Sequence, residues 1–342
     1  MSTPAAQFNF LDGGERAPGE PSYYAALGLT GPAAITEYAG KYFFAFNSAS
    51  QSTQTWSPPT FSAPNCFWTI RCAFTTWGFR INIINSAGGV LAYLIFNSDG
   101  SASLYSGSTL LGKSPVNLFF LNTIFQMSFK LVANATTGSF QLNLNGNPTP
   151  IAGVTVSGVN TSGGQTSLNS AGMQIPPQAN ANIYFYFRDL SCHDGTGVAP
   201  LNAVLGNCGA EISPPNANIS TALVSSNSDP NYEVYASAPP GSAYCGSSTV
   251  GASDTLAITP LPSNVLDIIG FKTFEYSSKS DTGTRATQRS VVSAGTTAAG
   301  AENYLNETPV LTEDVYTADP ATGDPITMAA YNALNLIEAI AA

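Results

Sequence analysis

Apolar and polar residues alternate along much of the segment from Val90 to Pro148, and this pattern constrains the fold more than any other feature of the chain. In the run Phe125–Leu131 (Phe-Gln-Met-Ser-Phe-Lys-Leu), every second side chain is apolar. Successive side chains of a strand point to opposite faces, so such a run buries one face and leaves the other wet. Turn sequences at residues 97–100, 136–139 and 145–147 separate the runs. The pattern therefore predicts antiparallel strands packed as a β-sandwich.

Short runs rich in β-branched and aromatic residues, each bounded by turn residues, are predicted as strands. They comprise residues 42–46, 67–74, 79–84, 91–96, 101–105, 125–133, 140–144, 183–187, 265–276 and 285–293. Residues 157–181 are rich in Ser, Gly, Asn and Thr, and we interpret them as a long loop on the sandwich. Residues 330–340 carry apolar side chains at helical spacing, so a short C-terminal helix with Thr327 as its N-cap is expected.

The chain of 342 residues is long enough for two domains that each bury a core. Gly and Pro recur through residues 1–40, which we interpret as an extended N-terminal lead-in. Residues 41–197 hold the alternating strands of the β-sandwich and end in a turn-rich stretch, Asp194–Gly197. Residues 198–342 are richer in Ser, Thr, Ala and Pro and are interpreted as a second small β-rich domain that ends in the short helix. The predicted fold class is all-β.

Charged side chains make up only 9% of the chain, against about 25% in an average soluble protein. The formal net charge is −10, and seven acidic residues but no basic residue follow Arg289. Such a chain repels a polyanion, so no nucleic-acid partner is expected. A surface of neutral Ser, Thr, Asn, Gln and Gly is common where a protein is held in a large assembly.

The N-terminal residues, Met1–Ala6, form neither a basic start nor an apolar core, and therefore predict no signal peptide. No apolar run approaches the roughly 20 residues that span a bilayer, so membrane insertion is not expected. We expect the chain to fold in a cytoplasm and to reach any role outside the cell by another route.

Acidic residues are almost absent from the first domain, where Asp99 is the only one between Lys41 and Arg188. A glycosidase on this fold needs two carboxylates, so no such mechanism is expected there. The single histidine, His193, is followed by Asp194, but adjacent side chains point apart and make a poor catalytic dyad. We therefore predict no catalytic residue and a protein that is not an enzyme.

The cysteines are odd in number and lack Cys-x-x-Cys spacing, so buried reduced thiols are expected. They are Cys66, Cys72, Cys192, Cys208 and Cys245. Asp189 and Asp194 are the carboxylates weighed as Ca²⁺ ligands, but they lack EF-hand spacing. A zinc site would need more ligands than one histidine and these scattered cysteines provide. The sequence thus predicts no metal and no cofactor.

Aromatic side chains are the best candidates for contact with a sugar, because they combine a flat apolar ring with a polar edge. Most aromatic residues of a β-sandwich belong to its core. Trp56 lies in the polar stretch 51–59 and is the one most expected to be exposed, so it is the candidate ligand-binding residue. The other aromatic residues considered for this role are Trp68, Trp77, Tyr23, Tyr24 and Tyr93.

The order of strands and turns from Val90 onward resembles the concanavalin-A-like, or laminin-G-like, jelly-roll family. The similarity lies in residues 97–100 (Asn-Ser-Asp-Gly), 104–107 (Leu-Tyr-Ser-Gly), 137–140 (Thr-Gly-Ser-Phe), 144–146 (Leu-Asn-Gly), 187–190 (Phe-Arg-Asp-Leu) and 194–197 (Asp-Gly-Thr-Gly). It covers residues 40–197 and implies a jelly-roll β-sandwich, with little information about function.

The end of the chain is similar to the ends of tailed-bacteriophage structural proteins. The matching segments are residues 281–285, 314–316, 319–323 (Asp-Pro-Ala-Thr-Gly), 326–327 and 332–334, together with Glu338. Ile326 stands where tryptophan is usual in those proteins, so the most diagnostic residue is absent. The resemblance implies a virion protein whose second domain serves virion attachment or oligomerisation.

The expected function is that of a non-enzymatic structural protein of a tailed-phage particle: a fibre, spike or decoration component that aids adhesion to host surface glycans. The expected partners are copies of itself, with a trimer among the candidate oligomers, other virion proteins and a host glycan. The expected location is the virion, assembled in the host cytoplasm. Two alternatives remain: a purely architectural shell or tail protein without a host ligand and, disfavoured by the scarcity of carboxylates, a glycan-degrading enzyme.

Overall fold

The computed structural model describes residues 8–11, 29–30, 33–38, 41–47, 53–58, 61–177, 184–197, 199–211, 213–236 and 242–342. The chain divides into two compact units, Met1–Ala210 and Glu211–Ala342. Both are built almost entirely from antiparallel strands, which confirms the predicted all-β fold class. Neither of the two helices among the described residues is long and apolar enough to cross a membrane.

The first unit consists of two antiparallel sheets. Its strands are β1 (Phe8–Leu11), β2 (Leu29–Thr30), β3 (Ala33–Tyr38), β4 (Lys41–Asn47), β5 (Gln54–Trp56), β6 (Asn65–Phe74), β7 (Arg80–Asn85), β8 (Val90–Phe96), β9 (Ala102–Ser106), β10 (Thr109–Lys113), β11 (Phe125–Val132), β12 (Gly138–Leu144), β13 (Val156–Val159), β14 (Ser170–Ile175) and β15 (Tyr184–His193). The eight-stranded sheet runs β13-β12-β11-β6-β15-β4-β3, and β1 also pairs with β15. The seven-stranded sheet runs β10-β9-β8-β7-β14-β5-β2.

Aromatic side chains from both sheets form the core of the first unit. Trp56 of β5 packs edge-on against Trp68 of β6, with ring centroids 5.4 Å apart. Phe79, which precedes β7, stacks on Phe185 of β15 at 4.1 Å. Because each pair joins strands of different sheets, the two layers face each other, as in the predicted jelly-roll β-sandwich. Burying a phenylalanine of this kind contributes roughly 1.5–3 kcal/mol to folding.

The predicted long loop at residues 157–181 is correct for residues 160–169 and wrong for two strands, while residues 178–181 lie outside the described residues. Val156–Val159 pairs with β12 as β13, and Ser170–Ile175 lies inside the seven-stranded sheet as β14, bonded to β7 on one side and β5 on the other. This segment has few β-branched residues, so its local sequence does not suggest a strand. Pairing on both sides, together with the buried side chains of Met173 and Ile175, holds it in the sheet.

The second unit contains β16 (Pro215–Ser220), β17 (Val224–Ser225), β18 (Cys245–Gly246), β19 (Ser253–Ile258), β20 (Phe271–Ser277), β21 (Ala286–Ser293), β22 (Thr296–Tyr304), β23 (Val310–Tyr316) and β24 (Asn335–Ile340). Its helices are α1 (Asn231–Ala236) and α2 (Met328–Asn332). The five-stranded sheet runs β16-β19-β24-β21-β22, and β20 pairs with β23 in a separate ribbon. The apolar core of this unit consists of Ile268, Phe271, Val291, Ile326, Tyr331 and Leu334.

The predicted C-terminal helix is correct only in its first turn. Thr327 is its N-cap, since its side chain accepts a hydrogen bond from the backbone N–H of Ala330 at 3.1 Å. The helix ends at Asn332, and Asn335–Ile340 forms β24 between β19 and β21. A short, mostly apolar run does not distinguish helix from strand, and pairing with two neighbouring strands makes Asn335–Ile340 a strand.

Charge is divided unequally between the units. The first 210 residues contain seven acidic and seven basic side chains, whereas the last 132 contain fourteen acidic and four basic ones. The formal net charge of −10 therefore belongs to the second unit.

Candidate functional site

Residues 199–210 cover the centre of the outer face of the eight-stranded sheet. Gln126 of β11 holds this segment, because its Nε2 donates to the carbonyl of Gly206 at 2.6 Å and its Oε1 accepts from the backbone N–H of Cys208 at 3.2 Å. Leu201 and Leu205 of the same segment are buried. The centre of this face is therefore filled by the chain itself, which leaves the other sheet as the candidate binding face.

An ion cluster anchors the end of the covering segment. Asp189 lies at a bulge of β15 with φ of 51° and is only 3% exposed. Its Oδ2 lies 3.0 Å from Arg71 and 3.1 Å from Arg188, and its Oδ1 accepts from the backbone N–H of Ala210 at 3.2 Å. Two arginines thus hold a carboxylate that was considered for Ca²⁺. Within the described ranges, no group of three or more His, Cys, Asp and Glu side chains is placed to hold a metal ion.

The outer face of the seven-stranded sheet carries a continuous polar and aromatic row. Strand register places Tyr105 opposite Tyr93, Tyr93 opposite Asn82, Asn82 opposite Gln174, and Gln174 opposite Thr55. The row points outward because the sequence neighbours of its members are buried in the core. Four members are half-exposed, and Asn82 is buried among them. We call these five residues the outer row.

The Tyr93 ring is clamped between two neighbours. It stacks on Tyr105 of β9, with ring centroids 5.1 Å apart and an angle of 9° between the planes. The guanidinium carbon of Arg80 on β7 lies 3.6 Å from the centroid of the same ring. Since β7 and β9 flank β8 on opposite sides, Arg80 and Tyr105 lie against opposite faces of Tyr93. The row therefore presents hydroxyl-bearing ring edges, held in fixed positions.

A directed chain of hydrogen bonds runs along the same face. Arg80 donates through Nε to Oδ1 of Asn82, and Nδ2 of Asn82 donates to Oε1 of Gln174 at 2.8 Å. An arginine can only donate, so both amides must be oriented in this way. The terminal guanidinium nitrogens of Arg80 and Nε2 of Gln174 donate no hydrogen bond to any described residue. The chain thus leaves these donors available.

Trp56, the candidate ligand-binding residue, is not on this face. It points inward from β5 and is only 2% exposed, so the expectation that it is exposed is wrong. Alternation along β5 turns Trp56 toward Trp68, on the same buried face as Gln54, while Thr55 points outward. Of the other aromatic residues considered, Trp77 is half-buried beside Phe74 and Tyr93 is in the outer row. Tyr23 and Tyr24 lie outside the described residues.

Asp99, Asp194 and His193, described side chains of the first unit, each lie in a separate structural setting. Asp99 pairs with Lys113 at 2.7 Å, and the hydrogen bond from this lysine lowers its pKa to about 2. Asp194 accepts hydrogen bonds from Thr196 in a turn. His193 is the last residue of β15, where burial lowers its pKa to about 4 and leaves it neutral at pH 7. These side chains have the surroundings of structural residues.

The second unit holds a buried acidic cluster, formed by Asp254, Glu275, Asp314 and Glu338 around Arg289. Register places Glu338 of β24 between Asp254 of β19 and Arg289 of β21. Arg289 is 1% exposed and bonds Asp314 of the ribbon at 2.9 Å. Burial raises the pKa of Glu338 well above its usual range, and the nearby Glu275 raises it further. Glu338 and Arg289 lie inside the unit, so we interpret the cluster as the polar half of its core.

Sequence reasoning found Tyr93 but missed the rest of the outer row and Arg80. A partial signal was present in Arg80-Ile81-Asn82-Ile83, where polar residues alternate with buried isoleucines. Gln174 had no such signal, because the local sequence around it has few β-branched residues and does not suggest a strand. The row also depends on the register of five strands, which no local pattern specifies.

Comparisons with known proteins give structural likeness at low identity. No protein-family model and no curated protein matches the chain. Among solved structures, peanut lectin in complex with a 9-residue peptide has a TM-score of 0.36 at 10% identity, covering 55% of this chain and 97% of the lectin. A legume lectin-like domain from Entamoeba histolytica has a TM-score of 0.32 at 8% identity, covering 48% and 87%.

Sialidases are also among the structural matches. A mutant of Trypanosoma rangeli sialidase that displays trans-sialidase activity has a TM-score of 0.32 at 11% identity, covering 47% of this chain. The match spans only 27% of that sialidase, and less than a third of each of the first sialidase structures found.

Proposed function

We propose that the first unit binds glycan through the outer face of its seven-stranded sheet, and that the chain is a non-enzymatic structural protein of a tailed-phage particle. The observation that carries the binding proposal is the outer row, in which tyrosine edges and amides are fixed side by side on an outer face. A sugar offers hydroxyl groups beside C–H surfaces, so it needs hydrogen-bond partners next to apolar ring edges.

Rigidity supports the binding proposal. Arg80 and Tyr105 fix the Tyr93 ring, and Asn82 links Arg80 to Gln174 by hydrogen bonds. Side chains that are already ordered lose little conformational entropy when a ligand binds. Such a face can bind a polar ligand by surface contacts without a deep cavity.

The particle assignment rests on the end of the chain and on the second unit. Asp319 and Gly323 form the turn that the resemblance to phage proteins includes: the backbone N–H of Gly323 donates to the carbonyl of Asp319 at 2.8 Å, and Gly323 has φ of 77°. In this proposal the chain assembles in the host cytoplasm, forms a homo-oligomer and attaches to other virion proteins through the second unit.

An architectural role without a host ligand is the second candidate. It is favoured by apolar side chains that the second unit leaves exposed, because such residues often mark interaction surfaces. Among the described residues they are Ile219, Val224, Tyr244, Val250, Leu266, Tyr276 and Tyr304. A glycan-degrading activity is disfavoured because the acidic residues described in the first unit have separate structural partners, while Glu338 is buried in the second.

Glycan-array binding of the full chain and a double variant tests the proposal. Tyr93→Ala with Tyr105→Ala removes the ring edges, and we expect the affinity for the bound glycan to fall by about tenfold or more. Tyr244→Ala, which removes an exposed tyrosine of the second unit, is the matched control and should bind like wild type. If wild type binds no glycan while Tyr244→Ala with Val224→Ser changes the oligomeric state, the architectural candidate replaces this proposal.

A further inference from the structure

The outer row presents hydrogen-bond donors beside a cation that has no anionic partner. Arg80 has no Asp or Glu within ion-pair distance among the described residues. Its contacts are the Tyr93 ring and the side-chain oxygen of Asn82, both of them neutral. Asp99, the acidic residue nearest in sequence, is paired with Lys113 instead. The positive charge of Arg80 is therefore not neutralised within the first unit as described.

The direction of the hydrogen-bond chain determines which groups remain free. Asn82 uses its oxygen to accept from Arg80, and Gln174 uses its oxygen to accept from Asn82. Both amide oxygens are thus engaged inside the protein, whereas Nε2 of Gln174 and the terminal nitrogens of Arg80 remain as donors. On the two sides of the buried Asn82 amide, this face therefore offers the hydrogen-bond donors of Gln174 and Arg80 and the positive charge of Arg80.

We propose that the ligand of the outer row carries an oxyanion, either the carboxylate of a uronic acid unit or a sulfate ester, which is bound by Arg80 and Gln174. This inference rests on the proposed glycan binding and names the class of glycan. A planar guanidinium with two free terminal nitrogens matches two oxygens of such a group. Nε2 of Gln174 adds a neutral donor on the other side of Asn82.

The architecture favours an acidic ligand in two further ways. The Tyr93 ring holds the guanidinium at 3.6 Å, so little side-chain freedom is lost when an anion binds. The neighbouring Tyr105 supplies a ring edge, which carries partial positive charge and tolerates an anionic oxygen. The formal net charge of −10 acts against this preference, so binding of an acidic glycan depends on the local contacts with Arg80 and Gln174.

The test compares pairs of oligosaccharides that differ in one group. One pair contrasts galacturonate with galactose oligosaccharides, and the other contrasts 6-sulfated with unsulfated galactose oligosaccharides. Dissociation constants for the full chain are measured by calorimetry at low and high salt. The measured quantity is the acidic preference, defined as the affinity for the acidic member divided by that for the neutral member. We expect wild type to prefer one acidic member, and the preference to fall with added salt.

Three variants that each lower the net charge by one separate a specific site from general attraction. Arg80→Gln removes the cation, and Gln174→Glu replaces the free donor with a carboxylate while keeping an oxygen for Asn82. Each should lower the acidic preference by about tenfold. Lys130→Gln, on the eight-stranded sheet, removes a cation that lies 5.1 Å from the Phe67 ring and should leave the preference unchanged.

Each result decides between the two proposals. If wild type binds the acidic and neutral members with equal affinity, this inference is overturned and glycan binding remains. The same conclusion follows if Arg80→Gln and Lys130→Gln lose the acidic preference equally. No binding to any member of either pair or to the glycan array overturns the proposed function and this inference together. Tryptophan fluorescence checks that each variant is folded, since Trp56 and Trp68 are in the core of the first unit.

Discussion

His193 is a neutral histidine whose protonation must destabilise the first unit. It stacks on Phe67 at 4.5 Å and is 1% exposed, and burial lowers its pKa from 6.5 to about 4. Because the folded-state pKa is depressed, the stability that His193 contributes is complete above pH 6.5 and is lost as the pH falls toward 4. We expect the free energy of unfolding to drop by up to about 3 kcal/mol over this interval.

Urea unfolding followed by tryptophan fluorescence measures this loss, since all three tryptophans of the chain lie in the first unit. His193→Gln should be less stable than wild type at pH 7 but should show a flatter dependence between pH 6.5 and 4. An equally steep dependence in the variant would assign the titration to another group.

At the scale of elements, Asp189 links β15 to the segment 199–210. Asp189→Ala removes the buried carboxylate that Arg71 and Arg188 share, and the acceptor for the backbone N–H of Ala210. Removing one partner of a buried ion pair costs about 3–5 kcal/mol. We expect a lower urea midpoint and faster hydrogen exchange in residues 199–210. Asp99→Ala, which removes a more exposed carboxylate bonded to Lys113 and Ser101, is the control; it should lower the urea midpoint less and leave hydrogen exchange in residues 199–210 unchanged.

The sequence correctly predicts strands whose own side chains alternate between apolar and polar. It does not predict segments that become strands only because they pair with neighbouring strands. The run Phe125–Leu131 lies within β11 as predicted, and Asn145 and Gly146 have the positive φ values expected of an Asn-Gly turn. Residues 170–175 and 335–340 become strands because they have partners on both sides. Such partners are distant in sequence, so no local window reveals them.

The candidate site shows the same limit. Tyr93 could be selected as an aromatic residue, whereas Arg80, Asn82 and Gln174 join it only through the register of β7, β8 and β14. Trp56 was selected for its polar surroundings, but a single step along β5 separates the inward face from the outward one. Identifying a site on a sheet therefore requires the register, which the composition of a segment does not provide.

At the scale of the whole molecule, buried titratable groups differ between the units. The first unit buries a histidine whose pKa is lowered, and the second buries Glu338, whose pKa is raised. Glu338 lies among Asp254, Glu275 and Asp314, and Arg289 is the cation bonded within this cluster. Carboxylates in excess of cations retain a proton when buried, because ionising each of them without compensation is too costly.

The two units should therefore respond to pH in opposite directions. Since the folded-state pKa of Glu338 is raised, the stability it contributes is complete below its usual pKa of 4.5 and is lost as the pH rises through the folded-state value. We expect the first unit to be weakened by acid and the second by base. Hydrogen exchange of the full chain, corrected for the intrinsic effect of pH, distinguishes them through peptides from β15 and from β24.

Glu338→Gln, which resembles the protonated acid, should abolish the loss of protection in β24 at high pH and leave β15 unchanged. Glu307→Gln, at an exposed position of the same unit, is the matched control and should behave like wild type. If β24 loses protection at high pH equally in Glu338→Gln and wild type, Glu338 is not the group that titrates. The order in which the two units lose protection should thus be reversed between acid and base, because each unit buries a group that favours the opposite protonation state.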